Sequence, residues 1–279
     1  MALNINNSFI TNIITRTQDN FTRVAEKIGS GLRINHASDD AAGFAISERF
    51  TTQLSGFSQA ARNTNDAISL AQVAGADLNS VSENVQRIRE LALQAANGTL
   101  NDSDREAINT EARQLREQVN DVIQRSNFNG KFILSNNGAP DNGAPTQHSI
   151  GIQVGSNEGD QVELNIPDLE KSIDDSKFNS VDLSTAQGAK EALSAIDQFE
   201  NDVLTAASDF GALTNRFRST VEQLGSSEVT AQASRSRIRD ADFARETSEL
   251  VRLQIQQEVG IAVQTQANQQ GALVLRLLS

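Results

Sequence analysis

The chain has no cysteine, no tryptophan and no tyrosine among its 279 residues, and it has only one methionine and three prolines. Without cysteine, a disulfide framework and thiolate metal sites are excluded. Aromatic residues make up 4% of the chain, and all of them are phenylalanine. The interior must therefore be built from alanine, leucine, isoleucine, valine and phenylalanine, which favours helices packed on helices over a thick sheet sandwich.

Positive charge is also scarce, since 24 lysines and arginines stand against 36 aspartates and glutamates for a formal net charge of −12. This balance argues against binding nucleic acid or an anionic membrane by bulk electrostatics. No run of the sequence approaches the roughly 20 apolar residues of a membrane-spanning helix. Residues 1–20 carry neither a basic leader nor a continuous apolar segment with a cleavage site, so we expect no ordinary cleaved signal peptide.

The residues that carry most enzyme chemistry are few and poorly placed. His36 and His148 are the two histidines, and neither belongs to an HExxH zinc motif or a recognisable Ser–His triad. The glycines at 29–33 lack the spacing of a phosphate-binding loop. Asp39 and Asp40 suit helix capping better than cation binding, because two adjacent carboxylates supply too few ligands. The sequence predicts no enzyme and no catalytic, cofactor-binding or metal site.

Heptad spacing organises the chain outside its middle. Apolar residues separated alternately by three and four positions form stripes at 10–28, 57–85, 108–122 and, longest of all, 189–224. Sustained periodicity of this kind predicts long helices packed as a coiled-coil-like bundle. A weaker C-terminal stripe, half of it small or polar, consists of Ile255, Val259, Ala262, Gln266, Gln269 and Leu273.

Two segments interrupt the helical pattern. Residues 29–50 are a joint, where Gly29 and Gly31 end one helix and Ser38, Asp39 and Asp40 cap the next. Residues 128–185 contain short alternating apolar runs separated by Asn-Gly, Gly-Ser-Asn and Glu-Gly-Asp turn signals, which predicts a β-hairpin region at about 128–185.

The helices predicted at both ends of the chain carry only thin apolar stripes. A helix with a thin apolar stripe cannot offset its own conformational entropy, so both ends are expected to be disordered until they gain partners. They can pair with each other if an even number of long helices returns the chain to its start. The expected fold is mainly α, a long coiled-coil-like bundle with a small β-hairpin region and paired N- and C-terminal helices.

Several segments, in order along the chain, resemble bacterial flagellin, the subunit of the flagellar filament. They are GSGLRINHASDDAAGFAISERF (29–50), RNTNDAISLAQVAGADLN (62–79), QRIRELALQAANGT (86–99), FNGKFIL (128–134), IQVGSNEGDQ (152–161), GALTNR (211–216), SRIRDADFARE (236–246) and QANQ (266–269). Because only about fifteen residues separate IPDL (166–169) from the next helix, the resemblance is to a short form without the large variable outer domain.

The resemblance implies a domain organisation and a set of partners. Residues 1–42 and 239–279 would form the inner layer of a filament, and 43–238 a helical-bundle layer outside it. The chain would be exported by the flagellum's own type III machine without cleavage of a leader, and would act outside the cell in swimming motility. Expected partners are further copies of itself, an export chaperone, the filament cap, hook–filament junction proteins and a host Toll-like receptor, with no nucleic acid, membrane or cofactor.

Residues 86–94 form the most distinctive candidate surface. Arg87, Glu90, Leu91 and Gln94 recur at helical spacing, which by itself is also explained by a solvated face with local ion pairs. The resemblance implies that this helix packs between subunits and is bound by the flagellin-sensing Toll-like receptor. The residues implied are Gln86, Arg87, Arg89, Glu90, Leu91, Gln94 and, from the next helix, Glu111.

A second set of candidate residues serves assembly of the inner layer. Its members lie on the terminal stripes: Ile10, Ile14, Phe21, Val24, Ile28, Ile255, Val259, Ala262, Leu273, Leu277 and Leu278.

Two other functions remain open at this point. A hook–filament junction protein shares the terminal helices, although the matches at 86–99 and 236–246 favour flagellin. A soluble coiled-coil adaptor would have the same heptads, and it is separated from a filament subunit by whether the purified chain forms fibres.

Overall fold

The computed structural model describes residues 2–135 and 148–278, with side chains described for 8–135 and 149–270. Long helices dominate, as the heptad stripes predict. The helices are α1 (Ala2–Ser30), α2 (Ala41–Ala95), α3 (Asp102–Arg125), α4 (Leu169–Asp175), α5 (Ala186–Arg239) and α6 (Phe243–Leu278), with a 3₁₀ turn at Phe178–Ser180. Four short strands are β1 (Asn127–Phe128), β2 (Lys131–Phe132), β3 (His148–Gln153) and β4 (Gln161–Ile166).

The described chain divides into two compact units. The terminal unit runs up to Leu54 and resumes at Val229, and the central unit is Ser55–Glu228. These boundaries lie about ten residues inside those expected from the sequence, because the stretches of α2 and α5 nearest the joint group with the terminal helices. The assignment of an inner layer and a bundle layer remains a prediction.

In the central unit the predicted helical stripes form one core. Every position of the stripes at 57–85, 108–122 and 189–224 is buried or half-buried. On α5, Phe210 and Phe217 are 2% and 0% exposed. The ring of Phe199, also on α5, lies 4.6 Å between centroids from that of Phe178 in the 3₁₀ turn. The helix phase predicted for these three elements is confirmed.

A tight connection holds α2 and α3 side by side. Asn101 caps α3, its side chain accepting a hydrogen bond from the Asp104 N–H at 2.8 Å. The guanidinium of Arg105 donates to the carbonyl oxygens of Ala95 and Asn97, each at 3.1 Å, and so occupies acceptors that the end of α2 leaves free. The turn makes the two helices antiparallel neighbours.

Both sheets of the described chain are antiparallel hairpins. Asn129 and Gly130, with φ of 51° and 78°, form the turn between β1 and β2, and positive φ at both positions is what such a turn requires. Along β4, Val162, Leu164 and Ile166 alternate into the core.

The β region ends earlier than the sequence indicates. The strands stop at Ile166, and α4 follows where β-hairpin structure was predicted to continue to about 185. The side chain of Asp168 accepts a hydrogen bond from the Lys171 N–H at 3.1 Å and starts this short helix. Leu169 and Ile173 bury its apolar side.

In the terminal unit, the predicted joint is a short antiparallel bridge between two linkers. Arg33 N–H donates to the Arg239 carbonyl at 2.6 Å, and Ala241 N–H donates to the Gly31 carbonyl at 3.0 Å. Gly31 has φ of 71°, which glycine adopts without strain. Of the predicted caps, Asp40 accepts from the Gly43 N–H at 2.9 Å.

Asp39 does not cap α2. Its carboxylate accepts hydrogen bonds from the Asn35 and His36 N–H groups, each at 3.1 Å, and closes the preceding turn. The hydrogen bond from His36 is the largest cause that holds the pKa of Asp39 below its ordinary value.

Candidate assembly and recognition surfaces

Arg87 on α2 reaches Glu111 on α3, as the antiparallel arrangement predicts. Its Nη2 and Nε lie 2.8 and 3.2 Å from Glu111 Oε1, and its Nη1 lies 3.0 Å from Glu90 Oε2. These hydrogen bonds raise the pKa of Arg87, with Glu111 the larger cause. The side chains of Arg87, Glu90 and Glu111 are 50%, 67% and 48% exposed. The cluster is thus an ordered surface group that a partner can contact.

Two other predicted polar residues share this exposed side of α2, and Arg89 does not. Gln86 and Gln94 are exposed. Arg89 Nε instead lies 2.7 Å from Asp197 Oδ1 on α5, and this carboxylate is the first cause that raises the pKa of Arg89. Arg89 therefore ties two helices of the bundle together beside the Arg87 cluster.

The placement of Leu91 on this surface is wrong for the folded subunit. Leu91 is 2% exposed and belongs to the core, where it follows Ile88 by one turn. The exposed apolar residue near the cluster is Leu93, which is 50% exposed and follows Glu90 by three positions. The core stripe of α2 runs through positions 85, 88, 92 and 95. Leu91 lies beside this stripe, three residues after 88 and four before 95, and Leu93 does not, so the stripe distinguishes the two leucines.

The predicted stripe of α1 faces α6. Val24 is buried and Ile10, Ile14, Phe21 and Ile28 are half-buried. The side of α6 that meets α1 carries Leu253, Gln257, Gly260 and Gln264, which step by four, three and four positions. The terminal helices pair through one apolar stripe and one largely polar or small stripe.

The predicted stripe of α6 does not take part in that pairing. Ile255 and Val259 are 56% and 55% exposed, and Ala262 is exposed as well. Together with Val251, at 51%, they lie along one side of α6 at intervals of four, four and three residues. We call Val251, Ile255, Val259 and Ala262 the outer stripe. Leu273, Leu277 and Leu278 lie outside the described side chains, so their assembly role stays a prediction.

The outer stripe is an exposed apolar surface along α6. A row of side chains at helical spacing favours packing against another helix over binding a small molecule. Within residues 2–135 and 148–278, no group of three or more histidines and carboxylates is placed to hold a metal ion. No described helix has an apolar stretch long enough to cross a bilayer.

The described residues define a mainly helical protein with paired terminal helices and an exposed apolar stripe on α6. Residues 2–139 match the family model of the bacterial flagellin N-terminal helical region, and residues 193–278 match that of the C-terminal helical region. A flagellin of Halalkalibacterium halodurans is 38% identical over 256 residues, covering 92% of this chain and 91% of that protein.

Two further comparisons agree. Flagellin of Bacillus subtilis is 35% identical over 276 residues, covering 91% of each chain. The crystal structure of Bacillus cereus flagellin is 28% identical and superposes with a TM-score of 0.50 over 58% of this chain and 88% of that one. The chain belongs to the bacterial flagellin family.

Membership fixes the coarse function. The protein is a structural subunit of the extracellular flagellar filament and is not an enzyme. Its 279 residues match relatives of similar length, consistent with a form that has only the helical core. Between Ile166 and α5 the chain holds only α4 and the 3₁₀ turn, so no further domain is inserted in this stretch.

Proposed function

We propose that this subunit polymerises into the filament used for swimming, and that neighbouring copies bury the outer stripe of α6. The observation that carries the proposal is the exposure of Val251, Ile255 and Val259, each more than half exposed in the single subunit. Full burial of one such side chain from water contributes about 1.5–3 kcal/mol, and since each is about half exposed in the subunit, covering the three contributes roughly half of that amount per side chain.

A polar substitution in the outer stripe tests the proposal. Val259→Asn is expected to shorten or abolish filaments seen by electron microscopy and to reduce swimming in cells that depend on the variant. The matched control is Val229→Asn on α5, where the native valine is 70% exposed but lies outside α6. Normal filaments and normal swimming with Val259→Asn would contradict the proposal, and so would an equal loss with Val229→Asn.

The two alternatives give different outcomes. A coiled-coil adaptor would stay unpolymerised when the purified chain is concentrated, whereas a filament subunit would form long fibres. A hook–filament junction protein would be a minor component of filaments sheared from cells, and a filament subunit would be abundant there.

We also infer that the Arg87 cluster is bound by a flagellin-sensing Toll-like receptor in the monomer and by a neighbouring subunit in the filament. The ordered, half-exposed Arg87–Glu111 pair supports the inference, because a planar guanidinium held in place loses little conformational freedom on binding. Gln86, Glu90 and Gln94 surround the pair, and Leu93 supplies an exposed apolar group in place of the buried Leu91.

Substitutions in the pair test both roles at once. Arg87→Ala and Glu111→Ala are each expected to weaken reporter-cell signalling by the monomer and to reduce filament length. Arg125→Ala is the control, because Arg125 is 79% exposed and pairs with Asp121 on α3 alone. Unchanged signalling by both variants would remove the receptor role, and normal filaments from a signalling-deficient variant would separate the two surfaces.

The resemblance also supports export through the type III machine of the flagellum without removal of a leader, with an export chaperone, the filament cap and hook–filament junction proteins as partners. The mass of protein sheared from cells tests the first point. A mass equal to that of the 279-residue chain, with or without Met1, supports it, and a larger N-terminal loss contradicts it.

A further inference from the structure

Two polar pairs join α1 and α6 at equal intervals. Gln257 Nε2 donates to Gln18 Oε1 at 2.6 Å, and Gln264 Nε2 donates to Thr11 Oγ1 at 3.3 Å. The partners are seven residues apart on each helix and run in opposite directions, as an antiparallel pair with one register requires. Gln257 and Gln264 are half-buried in this contact.

Between the two pairs, α6 has a notch that receives a side chain of α1. A Cβ added at Gly260 would lie 3.1 Å from Ile14 Cγ1 and 3.8 Å from its Cδ1. A side chain at this position would require Ile14 to shift by a few tenths of an ångström. The isoleucine therefore fits opposite the glycine at one level of the pair.

The apolar contacts alone do not fix this register. The stripe of α1 repeats every three or four residues, so a slip of one heptad still places apolar side chains against α6. Such a slip would set Gln18 opposite Gln264. Thr11 and Gln257 would both lose the partners that they have in the native register. The same slip would also set Gly260 opposite Phe21.

A slip in the other direction carries the same penalty. It would bring Thr11 to Gln257 and place Gln18 near Leu250 on α6. Each slipped arrangement keeps one polar pair and loses the other, and it separates Ile14 from Gly260. Both hydrogen bonds lie at exposed positions and each contributes only modestly, so the two pairs together with the Ile14–Gly260 contact discriminate where one pair would not.

We propose that the pairs Gln18–Gln257 and Thr11–Gln264, with the Ile14–Gly260 notch, set the register of the terminal helices. The register sets the axial position of the outer stripe of α6 relative to α1. It therefore sets the surface that a second copy of this chain contacts. The consequence for assembly rests on the proposed function, whereas the register itself is a property of the subunit.

Spin-label distances read the register directly, because the chain has no native cysteine. Labels at Ser8→Cys and Gln254→Cys occupy exposed positions at different levels, so a slip of one heptad, about 10 Å along the axis, changes their separation. Filaments diluted with unlabelled subunits give distances within single subunits. One narrow distance distribution is expected for the otherwise native chain.

Replacing both pairs with apolar residues is the decisive variant. Thr11→Val, Gln18→Leu, Gln257→Leu and Gln264→Leu together are expected to add a second population of distances. The control is Gln256→Leu, on an exposed side of α6, which should keep one population. One unchanged population in the four-residue variant would overturn the proposal.

A second variant with a charged pair covers the case in which the apolar variant fails to assemble. Gln18→Glu with Gln257→Lys restores a polar contact at the same level and is expected to polymerise with the native distance, even if the apolar variant does not. Loss of the native distance in the Glu–Lys variant would also overturn the proposal. If the native chain forms no filaments, the proposed function fails, whereas loss of the native distance in filaments of the Glu–Lys variant overturns the register alone.

Discussion

Arg105 of α3 donates from Nε to the carbonyl oxygen of Ala95, ten residues earlier at the end of α2, at 3.1 Å. Its side chain is 9% exposed, and its Nη1 lies 3.3 Å from the exposed carboxylate of Asp102. One guanidinium thus closes the turn that places Arg87 opposite Glu111.

Arg105→Ala is expected to lower the free energy of unfolding by about 2–4 kcal/mol, because the buried carbonyl of Ala95 and the part-buried carbonyl of Asn97 lose a charged hydrogen-bond donor. Urea unfolding of the monomer measures the change. Arg125→Ala, at a 79% exposed side chain, should change it by less than about 0.5 kcal/mol. Equal effects of the two substitutions would mean that the turn does not depend on Arg105.

Phe210→Ala and Phe217→Ala should each destabilise the central unit by about 3–5 kcal/mol, since both rings are fully enclosed. Leu204→Ala, on the same helix but 49% exposed, is the control and should cost about 1 kcal/mol or less. A loss below about 1 kcal/mol for both phenylalanines would show that the packing of α5 is not as described.

Two glycines within α2 should respond in opposite directions to alanine. A Cβ at Gly56 would lie 2.6 Å from the Ser156 Cβ in the β3–β4 connection, whereas a Cβ at Gly75 has no such neighbour within 4 Å. Gly75→Ala should stabilise by about 0.5–1 kcal/mol through helix propensity. Gly56→Ala should destabilise by about 1–3 kcal/mol and shift the amide NMR signals of residues 154–160. A gain of stability from Gly56→Ala would contradict the close contact.

Hydrogen exchange of the monomer should separate the two units. Only three of the described side chains of α1 and α6 are buried, those of Thr17, Val24 and Leu253. The central unit, in contrast, has a continuous apolar core. Amides of α1 and α6 are therefore expected to exchange about 100-fold or more faster than those at 57–85 and 189–224, until polymerisation protects them. Equal protection of both sets in the monomer would contradict this prediction.

The sequence predicts the helix phase well where large apolar side chains mark it. Phe210 and Phe217 leave one face of α5 that can be buried, so periodicity alone finds the core. On α6 the residues facing α1 include Gln257, Gly260 and Gln264, which no hydrophobic pattern selects. Their role depends on Thr11, Ile14 and Gln18, which lie about 240 residues earlier in the chain, and the stripe that periodicity finds is the outer one.

The sequence also predicts one part of the Arg87 surface correctly and another part wrongly. The contact of Arg87 with Glu111 follows from two helices of opposite direction joined by a short turn, and it is confirmed. Leu91 was misplaced because its spacing from Arg87 does not by itself separate the exposed side of α2 from the core side, to which Leu91 belongs. The capping role of Asp39 was also wrong, since nearby backbone N–H groups compete for its carboxylate.

Burial of the outer stripe by neighbouring subunits is tested most directly by the reactivity of a cysteine placed in it. In Val259→Cys the thiol is expected to react with a maleimide freely in the monomer, as a 55% exposed side chain should, and at least about tenfold more slowly in the filament. Val229→Cys, from a 70% exposed valine on α5, reports reagent access to each preparation. Equal reactivity of Val259→Cys in monomer and filament would contradict the account.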